Sequence, residues 1–301
     1  MSINKKMSTK NTHMSVAIAM LGLLSLAFHP IARGQSTNQS AEISTGSPQV
    51  SNADLAKDLQ NPVADVISVP LEYRVDVGPG STKRYTLNLQ PVLPFDLTPD
   101  CLVVSRTILP FVYAPKPAGG DPAFDDPGVS AVGKGSSLGG IGDITQSFFF
   151  VPKEPTDGWI WGAGPVLRLP TASRDAFGQG RWGAGPTAVV LRQDGPWTFG
   201  MLANHVWSFA GWGPENVNTS CLQPFGAYTT DSQTTFGLGS ESAYDWDHGQ
   251  WVVPIDVSVS RLVQIGKLPL SLGLGWREYA VRPSGGPNWG LTLTVTFLFP
   301  K

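Results

Sequence analysis

The side chains best placed to do chemistry in this chain are ionisable residues on one parity of short alternating runs. Arg106, Asp143, Arg168, Glu241, Asp256 and Arg277 stand among apolar neighbours in stretches such as "GPVLRL" and "WVVPIDVSVS". Charges held on one face can line an aqueous passage and select what crosses it. They can equally lock to one another as a structural lattice, and the sequence leaves both readings open. His205, in "LANHVWSF", is the candidate for nucleophilic chemistry on a strand. Such chemistry needs a serine within hydrogen-bond reach of the imidazole and a third group to orient the ring. The neighbouring Asn204 points to the opposite face of a strand, no G-x-S-x-G occurs, and an enzyme is not expected. Asp121, Asp125 and Asp126 in "DPAFDDPG" lack the spacing of a calcium loop and read as a solvated acidic link. Cys101 and Cys221 form no CxxC or Cys/His pattern, so no metal site and no cofactor is expected.

The elements that position these residues are strands. In "LTLTVTFLF", Leu291, Leu293, Val295, Phe297 and Phe299 share one face and Thr292, Thr294 and Thr296 the other. The same period of two runs through "YTLNLQPVLPF" and "LPLSLGLGW", and it is the signature of a pleated strand. Turn residues divide the chain into about twelve such runs, near 66–77, 83–95, 101–114, 138–151, 158–170, 181–192, 197–210, 218–229, 234–246, 250–263, 268–281 and 288–299. Links after even-numbered runs are mostly tight ("DLTPD", "QDGP", "IGK"), and those after odd-numbered runs are mostly wider ("TASRDAFGQG", "RPSGGPN"). That asymmetry fits an antiparallel transmembrane β-barrel, all-β, with short turns at one end and surface loops at the other. The face opposite the apolar one carries the charges. It is a poor place for the core of a soluble β-sandwich, because an unpaired buried charge is costly.

Composition agrees. Only 15% of the 301 residues are charged, and 34 Gly, 26 Pro and 10 Trp disfavour a helical protein. The N-terminus reads as a signal peptide over residues 1–34: Lys5, Lys6 and Lys10, then an apolar run from Met14 to Phe28, then Ala32 and Gly34. Cleavage there removes those lysines and Arg33, taking the net charge from −2 to −6, and argues against nucleic-acid binding. Residues 35–62 read as a periplasmic leader with a short helix at "NADLAKDLQNP", capped by Asn52 and ended by Pro62. That helix is expected to rest on the rim of the barrel formed by residues 63–301, the other reading being a plug or gate at its periplasmic mouth. Trp159, Trp161, Trp182, Trp197, Trp207, Trp246, Trp251 and Trp276 fall near strand ends, as a membrane-interface girdle requires. The segment "WGAGP" occurs twice, at 161–165 and 182–186, and is assigned to two adjacent antiparallel strands with their tryptophans at opposite membrane edges. Cys101 and Cys221 then lie at different ends, too far apart for a disulfide.

Together "ADLAKDLQNP", "GDITQSFFFVPK", "GWIWGAGP", "RWGAGPTAVVL", "GPWTFG", "LANHVWSFAG", "YDW" and "GGPNWGLTLTVTFLFPK" resemble a family of bacterial outer-membrane proteins. The family is labelled meta-pathway of phenol degradation, or simply transporter, and some members carry the misleading label neuromedin U. The resemblance implies an outer-membrane barrel that passes small hydrophobic or aromatic molecules. Its partners would be outer-membrane lipids and lipopolysaccharide, the barrel-insertion machinery and a small-molecule solute, with no nucleic acid. The other function compatible with the sequence is a structural or surface-interaction barrel with a closed lumen.

Overall fold

The computed structural model describes residues 52–115, 138–266 and 268–299. The segments read as a signal peptide and as a leader up to residue 51, the acidic link with Asp121, Asp125 and Asp126, and the terminal Pro300 and Lys301 lie outside the described residues.

A seven-residue helix, α1 (Asn52–Asp58), precedes fifteen strand segments. They are β1 (Ile67–Val77), β2 (Lys83–Leu89), β3 (Val92–Thr98), β4 (Cys101–Ala114), β5 (Leu138–Ile141), β6 (Ile144–Pro152), β7 (Trp159–Leu169) and β8 (Arg181–Asp194). Then follow β9 (Trp197–Gly211), β10 (Asn218–Thr229), β11 (Thr234–Gly239), β12 (Ser242–Asp245), β13 (Gln250–Ile265), β14 (Leu268–Val281) and β15 (Trp289–Phe299). Three pairs of segments, β2 with β3, β5 with β6 and β11 with β12, are single barrel strands broken for two residues each. The result is twelve antiparallel strands in chain order, closed by β15 on β1 from Ile67↔Phe299 to Val77↔Trp289. Closure leaves no sheet edge, which is what allows strands to cross hydrocarbon.

The two faces of each strand show the barrel's setting. On β15, Leu293 is 54% exposed while Thr296 is 6% exposed. Apolar outside and polar inside is the reverse of a soluble sheet and the arrangement of a lipid-facing wall. Trp161 pairs with Val190, so Trp182 lies eight residues further along β8, about 27 Å at ~3.4 Å per residue. The two tryptophans therefore sit at opposite edges of an apolar band of about 25 Å.

The paired "WGAGP" segments have a local reason. Pro165 lies opposite Pro186 across β7 and β8. Neither can donate to a ladder, and each sits at a gap in the pairing on its other side. The β6–β7 pairing breaks off after Ser147↔Val166 and resumes in the same register at Phe150↔Ala163, and β8–β9 breaks off after Ala184↔Trp207 and resumes at Thr187↔Asn204. At these gaps the neighbouring backbone moves in: a Cβ on Gly164 would collide with the Phe148 carbonyl oxygen, and one on Gly185 with that of His205. Gly-Pro thus answers both the missing donor and the close approach.

Two sequence expectations are corrected by the packing. The inward face is not polar throughout. Leu102, Val104, Phe149, Val151, Val189, Leu191 and Leu202 point inward from β4, β6, β8 and β9 and enclose Val63 as a continuous apolar core. These strands are apolar on both faces, with lipid on one side and this core on the other, so alternation fails there. Nor does α1 rest on a rim. Leu55 and Ala56 are almost fully buried against the inward-facing Leu262 and Leu298, and Gln193 donates from its amide to the Lys57 carbonyl. The helix carries its apolar residues on one side, and the inner wall at the short-link end is the apolar surface that covers them.

Candidate functional site, the barrel lumen

The lumen is built in layers. At the short-link end lie α1, Val63 and the apolar core. Above them, three of the interruptions in the strands place polar residues: Gln90 between β2 and β3, Asp143 between β5 and β6, and Glu241 between β11 and β12. A break in the ladder re-aims a side chain that regular pleating would hold at a fixed angle.

Around Glu241 a chain of ion pairs crosses the lumen. Arg277, on β14, binds the Asp256 carboxylate of β13 through two nitrogens, with Nη2 to Oδ2 at 2.9 Å. The same guanidinium reaches Glu241 Oε2 at 2.6 Å. Glu241 Oε2 also accepts from Arg74 Nη2 of β1 at 3.2 Å. Three strands, β13, β14 and β15, separate the partners of that last contact around the wall, so it spans the interior. Arg74 is further bound to Glu72 at 2.7 Å, and Asn88 donates to the same Glu72 oxygen at 3.3 Å. On the adjacent wall Arg106 donates to Gln90 at 3.1 Å.

Nearer the long-link end, Tyr279 donates to Asp76 at 3.0 Å, beside Gly290. Asp143 is almost fully buried and holds the link between β7 and β8. Its two carboxylate oxygens accept the Ala172 N–H at 3.1 Å and the Gln179 N–H at 2.8 Å, and Arg168 stands 3.7 Å away. That link turns inward, burying Phe177 close to Gly140 and Gly142.

All six charges singled out from the sequence thus occupy the inner wall. Glu241, Asp256 and Arg277 meet in one network, Asp143 and Arg168 in a second, and Arg106 stands with Gln90. Sequence reading passed over Glu72, Arg74 and Asp76, although "LEYRVDV" alternates them with Leu71, Tyr73, Val75 and Val77. It also passed over the apolar inner core, whose signal was the loss of alternation in "LVV", "FFFV" and "AVVL".

On the outer wall, Trp159, Trp161 and Trp197 lie toward the short-link end, and Trp182, Trp207, Trp246, Trp251 and Trp276 toward the long-link end. Trp212 joins the second group, and Trp276 stacks on Trp289 with ring centroids 4.8 Å apart. His205 faces outward, its ring tilted against that of Trp207, and its Nδ1 is 2.7 Å from Ser220 Oγ across the β9–β10 pair. A serine is therefore within reach. The third member is not: His205 Nε2 is buried without a hydrogen-bond partner among the described residues, and Trp246 Nε1 donates to the same serine oxygen at 2.9 Å. Cys101, at the short-link end of β4, and Cys221, in the outer half of β10, are both unpaired.

No known family model matches this chain, and no curated protein matches it in sequence. Its fold is similar to that of solved outer-membrane barrels. The COG4313 outer membrane channel from Pseudomonas putida F1 superposes with a TM-score of 0.58 at 17% identity, covering 78% of this chain and 96% of that one. The NanC porin follows at 0.46 and 12% identity, covering 77% and 98%. Outer membrane phospholipase A from Escherichia coli gives 0.43 at 9% identity, covering 77% and 96%. The first of these likenesses speaks to architecture: a closed antiparallel barrel like that of an outer-membrane channel.

Proposed function

We propose that this chain is an outer-membrane channel for small solutes, held closed in the form described here by its own N-terminal segment. The observation that carries this reading is the nature of the obstruction. A column of hydrogen-bonded charges runs inward from the long-link end, where a water-filled passage would need polar walls. At the other end the passage stops on α1, a helix of seven residues anchored by Leu55, Ala56 and one hydrogen bond from Gln193. So short an element is a removable stopper rather than part of the wall. The resemblance of the sequence motifs to the phenol-degradation family supports small aromatic or hydrophobic molecules as solutes, and a cleaved signal peptide at 1–34 supplies the export route.

The ion pair between Arg74 and Glu241, reaching across the interior, favours a second reading, a structural barrel with a closed lumen. Single-channel conductance of the mature protein in planar bilayers, with and without residues 35–62, separates the two. The channel reading expects little conductance from the intact protein and stepwise conductance after truncation. Silence in both forms would support the closed barrel.

A further inference from the structure

One carboxylate of the charge network lies outside its two local ion pairs. Arg277 is already matched by Asp256 on the neighbouring strand, and Arg74 by Glu72 two residues away on its own strand. Glu241 belongs to neither pair, yet one of its oxygens is shared by both guanidinium groups, at 2.6 and 3.2 Å. Glu241 also stands in a break of the ladder between β11 and β12, and its side chain is 40% exposed against 6% for Arg277 and 14% for Arg74. It is the member of the network freest to leave. Arg74 Nε, buried and without an acceptor among the described residues, is a donor still unused at the same place.

We propose that Arg74 and Arg277 form a cradle for the carboxylate of a small organic acid, and that Glu241 is a tethered stand-in occupying it until the solute arrives. Planar guanidinium forks recognise carboxylates through paired, charge-assisted hydrogen bonds. A solute carboxylate that displaces Glu241 takes over contacts the walls already hold in place, and the side chain swings to the open lumen. The exchange keeps the number of ion pairs constant, so binding is weak enough for release, as conduction demands. The proposal rests on the channel reading and narrows it: a carboxylate-bearing solute fits this lining better than a neutral hydrophobic one.

The test uses the full mature chain in detergent micelles, with benzoate as the probe and benzyl alcohol as its uncharged analogue. Benzoate is expected to raise the thermal unfolding midpoint of Glu241→Ala at concentrations at least about tenfold below those needed for the unaltered protein, with no effect of benzyl alcohol. Glu241→Gln is the second variant in case the alanine form does not fold. Its amide oxygen keeps one acceptor, so an intermediate response is expected. In bilayers under a salt gradient, both variants, placed in the chain lacking residues 35–62, are expected to shift the reversal potential toward anions. Equal responses to benzoate and benzyl alcohol in the variant that folds would overturn the cradle. Benzoate stabilisation without conductance in any form would leave the cradle standing and remove the channel. Conductance without a benzoate effect would do the reverse.

Discussion

The two halves of the inner wall are built on different physics. From β4 round to β9, the inward residues at the short-link end form an apolar core with Val63 at its centre, as tightly closed as that of a soluble domain. From β12 round to β1, the facing positions are held by arginines and carboxylates, some still reachable by solvent. Burial of apolar surface is nondirectional and scales with the area removed from water. A charge network in a wet lumen has direction, can exchange partners and is weakened by salt. One half therefore reads as the support of the barrel and the other as the surface a solute meets.

Stability measurements offer the sharpest way to break that division. Phe149 is 1% exposed within the apolar half, and Phe149→Ala is expected to destabilise the barrel by about 3–5 kcal/mol, read from denaturant unfolding in lipid vesicles. Arg277→Gln, in the charged half, is expected to cost less, about 1.5–3 kcal/mol, while changing conductance more than Phe149→Ala does. Equal conductance changes from the two substitutions would erase the distinction. Asp143→Ala removes both acceptors that hold the link at 170–180. Faster tryptic cleavage after Arg174, with the unfolding midpoint nearly unmoved, is the expected result; unchanged cleavage would mean that Phe177 and the hydrogen bonds of Thr171 and Ser173 suffice to keep the link in place. Ser220→Ala on the outer wall takes the hydrogen-bond partner from a lipid-facing histidine and is expected to cost roughly 1 kcal/mol. Loss of any hydrolytic activity on ester substrates in that variant would instead give the His205–Ser220 pair a chemical role.

The smallest expected effect lies outside the membrane band. His248, in the link between β12 and β13, has its pKa raised by a hydrogen bond to Asp245 at 2.9 Å, with Glu215 adding to the shift. A raised folded-state value means that protonation stabilises the link. The contribution is complete below the unfolded histidine value of about 6.5 and disappears as pH climbs through the folded one. An NMR titration of His248 should show a midpoint above that value, lowered by Asp245→Asn. A midpoint at or below it would dissolve the link between the two loops.

Much of the barrel was legible because a lipid-facing wall forces a period of two. "LTLTVTFLF", "WVVPIDVSVS" and "LPLSLGLGW" could be assigned strand by strand, and their turn residues bounded them closely. The six inward charges were found by the same parity. Less was legible where alternation lapses: "LVV", "FFFV" and "AVVL" give no parity, so the apolar core inside the lumen went unseen.

The sequence by itself determined the architecture of this protein, since alternation, turn chemistry and tryptophan placement each act over a few neighbouring residues. It also determined where charge faces inward. Only the tertiary structure decided what those charges meet. Arg74 and Glu241 are 167 residues apart in the chain, and no local pattern records that closure of the ring sets them against each other across the interior. The place of α1 was decided the same way: its apolar side is written in Leu55 and Leu59, but the surface that buries it, Leu262 and Leu298, exists only once the barrel has closed.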